Sequence, residues 1–356
     1  MNSFLKKFLI LLIISRIALI ILPLLVQILL LPGKTYSWNY WDTPHYIYLA
    51  THGYVNVGDP ANFIVFMPLY PLILALFNFV KNAEAVGILI STASFAFACV
   101  LLYKLLRLDY EEKFVERFLL LLLIFPTSYF FGAPYTESLF VLLFALSFYF
   151  GRKSNWGLSG FFSGLAVLTR PFGILFAPAI FFDWRKGKNK KIWQLAAIFL
   201  PTLIAIIIYL VINQRIYGNA LAFQRILVNN WQKHFAFPWQ SIADSWRIAL
   251  GSGTIFFRVM IGWAEAVSAT LLWLLIPYAY KKLRKSYFVY YLLGVIFLSS
   301  TSFILSTPRY LLSIPPFFIL LTHLTKNKIV YTVWIFISTI LLSYLTLSYV
   351  TGQWAF

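Results

Sequence analysis

The feature that most constrains this chain is a succession of apolar runs separated by short polar or basic connectors. They lie at 8–31, 66–80, 84–103, 118–132, 134–150, 157–182, 193–213, 255–279, 287–305, 310–325 and 329–350. A helix needs roughly 20 apolar residues to cross about 30 Å of hydrocarbon, and most of these runs approach that length. Hydrocarbon leaves backbone N–H and C=O groups no partner but each other, so only helices or closed barrels can span it. The Leu/Ile/Phe runs lack the in–out alternation of barrel strands. The expected fold is an all-α integral membrane protein, a polytopic helical bundle of about 10–12 membrane segments with external juxtamembrane loops. Residues 1–356 form one such domain, because 61% of them are hydrophobic and only 11% charged. No stretch is polar enough to coat a separate soluble unit.

The net charge of +18 would suit a nucleic-acid binder, but the cations sit between apolar runs. Lys6-Lys7 and the clusters at 185–191, 281–285 and 326–328 fit cytoplasmic anchors under the positive-inside rule, with anionic lipid headgroups as partners and no nucleic acid. The single cysteine, Cys99, lies in an apolar run, so there is no intrachain disulfide. The first run follows two lysines, is long for a signal peptide and precedes no small-x-small cleavage site, so it is expected to be a retained span.

With Lys6-Lys7 inside, loop 33–65 falls outside, as do loop 214–254, the turn Ser306-Thr307-Pro308-Arg309 and the C-terminus. The middle is ambiguous. Two full crossings at 66–80 and 84–103 would put 104–117 outside and the turn 133–137 inside, whereas Arg152-Lys153 favours the reverse. The 66–80 run carries Pro68 and Pro71 and could instead be re-entrant, and Arg170-Pro171 could split 157–182 into two pieces.

Acids number only 11, which makes two of them conspicuous. Asp42 stands in "SWNYWDTPHYIY", an aromatic setting next to the first run. Such a partly desolvated carboxylate suits a general base, although Asp-Thr-Pro-His is equally a helix start with Asp42 as its cap. Glu137 stands, with only Ser138 between, before an eight-residue apolar stretch, a costly place for an acid unless it is paired or wet. Arg170 and Arg309 are lone cations outside the anchor clusters, suited to a phosphate or to pairing with those acids. Tyr46, Tyr70, Tyr135 and Tyr310 complete the scarce polar groups. The long loop 214–254 carries Trp231, Trp239 and Trp246, which fit aromatic anchors at headgroup depth or a cover over a site.

The order "WDxxHY", "FMPLYPLI", "FPTSYFFGAPYTESLF", "LAVLTRPFG" and "TPRYLLSIPP" resembles the PIG-V mannosyltransferase family, within the multi-span glycosyltransferases of the C fold (GT-C). The resemblance runs from about residue 36 to 316. It implies a transferase acting on the non-cytoplasmic face with a sugar carried on a polyprenyl phosphate, and mannose enters through the family alone. It gives the catalytic-acid position to Asp42, followed in the motif by His45 and Tyr46, and a second acidic position to Glu137 within "PYTESLF", beside Tyr135. Arg170 matches a motif that commonly reads Arg-Ser-Asn-Gly. Here it reads Arg-Pro-Phe-Gly, which keeps Gly173 but loses two hydrogen-bonding side chains. Arg309-Tyr310 matches a late Pro-Arg-Tyr motif.

On that expectation Asp42 takes the acceptor proton, Arg309 with Arg170 stabilises the departing lipid phosphate, and Glu137 orients the acceptor or a divalent ion. His45 holds Asp42, contacts phosphate or caps the loop. No ligand spacing names a metal. The acceptor is a lipid-linked or membrane-proximal glycan, and the compact chain without a retention signal points to a prokaryotic plasma membrane. The leading alternative is a sugar-lipid or lipid transporter without transfer chemistry. An acyl or phosphoryl transferase and a glycoside hydrolase fit the scarce polar groups less well.

Overall fold

A computed structural model describes residues 3–30, 33, 36–187 and 190–356. Lys34 and Thr35 of loop 33–65, and Lys188 and Asn189 of the basic run 185–191, lie outside them. The chain is an all-helical polytopic membrane protein, without strands among the described residues. Among the described residues, five helices are long and apolar enough to cross a bilayer. They are α1 (Ser3–Leu30), α4 (Ala83–Leu106), α9 (Trp193–Tyr217), α12 (Ile255–Leu274, with a π-turn at Arg258–Trp263) and α17 (Lys328–Val350).

The other runs fold into shorter pieces, because prolines and polar residues interrupt them. These are α2 (Thr43–His52), α3 (Leu69–Ala75), α5 (Glu112–Leu123), α6 (Glu137–Arg152), α7 (Trp156–Val167), α8 (Phe176–Lys186), α10 (Ala222–Trp231), α11 (Pro238–Leu250), α13 (Ile276–Lys282), α14 (Lys285–Ser299), α15 (Thr307–Tyr310) and α16 (Pro315–Leu324). Asparagine side chains start helices of both kinds by accepting free amides: Asn82 at the start of α4 from Ala85 at 2.9 Å, and Asn155 at the start of α7 from Leu158 at 3.2 Å.

The bundle has two distinct ends. One gathers the basic connectors. There Arg152 pairs with Asp109, Arg284 bonds Asp183 at 2.6 Å, Arg117 donates to the Thr325 carbonyl at 2.8 Å, and Phe4 stacks on Tyr103. The other end gathers 37–54, 61–69, 127–137, 168–173, 299–310 and the last residues of the chain. Here Ser37 bonds Glu84 at 2.9 Å, the Ser37 amide donates to the Val350 carbonyl at 3.1 Å, and Thr127 donates to the Pro308 carbonyl at 2.8 Å.

This arrangement settles the ambiguous middle. Loop 104–117 lies with the basic clusters, which overturns the simple count of crossings and agrees with Arg152-Lys153. The reason is the 66–80 run. Its helix α3 has only seven residues, the Leu69 amide bonds the Leu168 carbonyl, and Asn78 bonds the Ala50 carbonyl, so the segment returns to the end it left. The 157–182 run is likewise two helices, a hairpin whose tip is Arg170-Pro171. Helix α7 lies against α9 without intervening side chains: a Cβ on Gly160 would sit 1.9 Å from the Ala197 carbonyl oxygen.

Helix length then fixes where the tip residues stand. Helix α6 has 16 residues, about 24 Å at 1.5 Å per residue, whereas the 24-residue α4 beside it is about 36 Å long. Helices α5, α6, α7, α8, α14 and α16 run between the basic end and one tier formed by 127–137, 168–173 and 299–310, and the long helices α1, α9 and α17 form a mostly exposed collar.

Candidate functional site

Asp42, Glu137, Arg170 and Arg309 meet in that tier, brought from four separate stretches of sequence. Asp42 occupies the N-cap position of α2, but its side chain makes no capping bond. Instead its Oδ2 accepts from Arg309 Nη1 at 2.9 Å. Trp41, just before it, has a left-handed backbone (φ 58°), an unusual conformation for a bulky residue that reverses the chain at the carboxylate. The Asp42 amide donates to the Tyr135 hydroxyl at 3.0 Å, which ties loop 33–65 to the start of α6. The cap is therefore positional only, and the carboxylate faces the arginine.

Glu137 is completely buried, and one of its oxygens serves two guanidinium groups: Arg170 Nη1 at 2.5 Å and Arg309 Nε at 2.6 Å. Its other oxygen, Oε2, is buried with no protein partner. Arg309 is thus shared between Asp42 and Glu137, and its guanidinium lies over the Tyr135 and Phe130 rings at 4.5 and 4.7 Å. Arg170 also donates to Thr136 at 2.9 Å and lies over Tyr310. Gly173 lets the chain fold back behind Arg170, where a Cβ would come within 2.3 Å of the Ala166–Val167 peptide. Phe172 stacks on Tyr310 at 5.8 Å, an aromatic contact beside Arg170.

Access differs sharply within the cluster. The Asp42 side chain is 27% exposed, against 0% for Glu137, 7% for Arg170 and 9% for Arg309. Only Asp42 offers a carboxylate to a bound molecule; Glu137 is enclosed as the counter-ion of both arginines. Tyr46 is buried edge-on against Tyr70, Tyr135 and Phe66. His45 packs on Phe63 and Phe66 with its Nδ1 unpartnered. Burial holds its imidazole below the ordinary range against the opposing pull of Asp42, so it is neutral near pH 7. Among the described residues no three His, Cys, Asp or Glu side chains gather as metal ligands, and Arg309 bridges the two site carboxylates, an arrangement that does not fit a divalent ion.

Other residues complete the site that the motifs did not mark. Glu265, in the middle of α12 and fully buried, accepts the Ser306 and Thr307 amides at 2.6 and 2.8 Å, fastening the start of α15 and with it Arg309. An acid within an apolar run is a signal that could have found it. Glu84 accepts the Trp38 amide and the Ser37 hydroxyl, each at 2.9 Å, and so anchors the segment leading to Asp42. Lys233, from loop 214–254, reaches to 5.8 Å from the Tyr310 ring. The loop tryptophans divide: Trp231 packs on Phe66, Trp246 bonds Thr270 at 3.0 Å, and Trp239 is exposed and stacked on Phe237.

No known protein-family profile matches the chain. A stretch of 98 residues is 33% identical to GPI mannosyltransferase 2 of Yarrowia lipolytica (strain CLIB 122 / E 150), covering 27% of this chain and 28% of that protein. The aligned part is thus less than a third of the curated relative. In that part the chain is similar to a GPI mannosyltransferase.

Proposed function

We propose that the protein is a glycosyltransferase, related to the PIG-V-like members of the GT-C group, that moves a sugar, mannose by resemblance, from a polyprenyl phosphate to a hydroxyl acceptor. The observation that carries this is the Asp42–Arg309–Glu137–Arg170 chain: one accessible carboxylate beside two guanidinium groups that a buried acid holds in place. A base and an anion site side by side are what such a transfer requires. The partial similarity to a GPI mannosyltransferase supports the same class.

In this mechanism the acceptor oxygen attacks the anomeric carbon from the face opposite the phosphate. The new C–O bond forms as the anomeric C–O bond to phosphate breaks, and that electron pair passes to the lipid phosphate. The acceptor proton goes to the Asp42 carboxylate, and the configuration inverts. Arg309, with Arg170 behind it, meets the charge growing on the phosphate. Glu137 keeps both guanidinium groups aimed. The basic end, with Lys6-Lys7 and the clusters at 281–285 and 326–328, would be cytoplasmic under the positive-inside rule, which puts the site on the other face.

The test is transfer from a panel of radiolabelled polyprenyl-phosphate sugars by membranes holding equal amounts of wild type or Asp42→Asn. Loss of a general base should slow transfer about 10²- to 10⁴-fold without loss of folded protein. Equal turnover by the variant would remove Asp42 from the chemistry. If no donor is consumed while labelled lipid crosses the bilayer, a transporter replaces the transferase.

A further inference from the structure

Lys233 is the cation of the site that the proposed chemistry has not used. Arg170 and Arg309 each already face a carboxylate, Glu137 for both and Asp42 for Arg309. Lys233 has no carboxylate within salt-bridge distance among the described residues. Glu265 is the acid whose charge it feels, but both Glu265 oxygens are taken by the Ser306 and Thr307 amides.

The backbone holds Lys233 firmly on both sides. Gln232 takes a left-handed turn (φ 53°) that ends α10, and the Lys233 amide closes that helix on the Leu227 carbonyl at 3.0 Å. Ser302 then clasps the flanking residues: its hydroxyl donates to the Gln232 carbonyl at 2.8 Å and accepts the His234 amide at 3.1 Å, and its own amide donates to the His234 carbonyl at 2.9 Å. The half-buried side chain is left pointing across Tyr310, the ring that Arg170 also covers.

From this geometry we infer that Lys233 is a phosphate-binding residue, which grips the lipid phosphate of the donor before transfer and of the product after it. This rests on the reading of the site as a transferase for lipid-phosphate sugars. The charge balance gives the reason. Asp42 and Glu137 neutralise the two arginines, so an arriving phosphodiester monoanion needs a further cation, and bond cleavage then adds a second negative charge to the same phosphate. An ammonium on a flexible stem can follow the phosphate as it departs, whereas guanidinium groups locked on Glu137 cannot.

The experiment measures equilibrium binding of radiolabelled farnesyl phosphate, with farnesol as the neutral control, to the purified full chain in detergent. Wild type should prefer the phosphate over the alcohol by about tenfold or more, the worth of one charge-assisted hydrogen bond. Lys233→Gln should lose most of that preference with farnesol binding unchanged, and Lys233→Arg should retain it. The proposal is overturned if wild type binds both ligands equally, or if Lys233→Gln keeps the wild-type preference. Transfer kinetics separate this from the function itself. Donor KM raised about tenfold in Lys233→Gln supports the role, and wild-type KM and kcat in that variant remove it while leaving the transferase standing. The expected binding pattern without transfer from any donor keeps the phosphate site and discards the transferase.

Discussion

Glu137→Gln isolates the buried carboxylate without changing its shape. The glutamine oxygen can still face Arg170 and Arg309, and its amide would take the place of Oε2, which has no protein partner. What is lost is the charge. Two arginines, 7% and 9% exposed, would then share a single compensating acid, the partly exposed Asp42. Removing one partner from a buried ion pair typically costs about 3–5 kcal/mol, and that range is expected here. Arg170→Met in the same background restores the balance, so the double variant should recover about 2 kcal/mol or more relative to the sum of the two single changes. Reversible unfolding in mixed micelles would measure all four proteins. A Glu137→Gln variant within about 0.5 kcal/mol of wild type would refute the reasoning, and so would additive losses in the double variant.

Three further outcomes follow. Glu265→Gln keeps one accepting oxygen for two amides, so it should cost about 1–3 kcal/mol; because Arg309 loses its footing, kcat should fall more than donor KM rises, and a pure stability loss with normal turnover of the folded fraction would contradict the positioning role. His45 is held neutral by burial, so the unfolded chain binds its proton first on acidification; stability is full above the ordinary histidine range and falls as pH drops below it, and His45→Phe should flatten that acid-side loss in unfolding measured across pH. Single cysteines at Asn39 and Glu111, with buried Cys99 as a silent background, should label with an impermeant maleimide from opposite sides of sealed vesicles; labelling of both from one side would undo the re-entrant path of 66–80.

The helical character and the scarcity of polar residues were legible in the sequence because each is a local property. The prolines at 68 and 71 hinted at a re-entrant piece, but whether such a run turns back depends on distant contacts such as Leu69 to Leu168, which no local pattern carries. Asp42, Glu137, Arg170 and Arg309 stood out as costly residues in apolar surroundings, and the fold brings them into contact. Their division of labour was not legible: only burial tells the enclosed Glu137 from the accessible Asp42. Glu265 was overlooked inside a run judged by its average hydropathy. Lys233 does not stand out because lysine is common in a chain of +18 charge, and its place over Tyr310, without a salt bridge among the described residues, appears only in three dimensions.

The two helix lengths in the bundle have a consequence for the lipid around it. If Arg152 marks the inner interface, the 16 residues of α6 carry Glu137 only about 24 Å up, short of the roughly 30 Å of hydrocarbon beside the long collar helices. The reacting groups would then lie at the bottom of a dimple, several ångströms beneath the outer acyl surface. For the proposed transferase, bilayer height would become a variable of the reaction. In short-chain lipid the dimple is shallow and bulky acceptors can reach down; in long-chain lipid its rim rises and admits only slender ones. Hydrophobic mismatch, which usually tilts or sorts a membrane protein, would here tune which acceptors arrive.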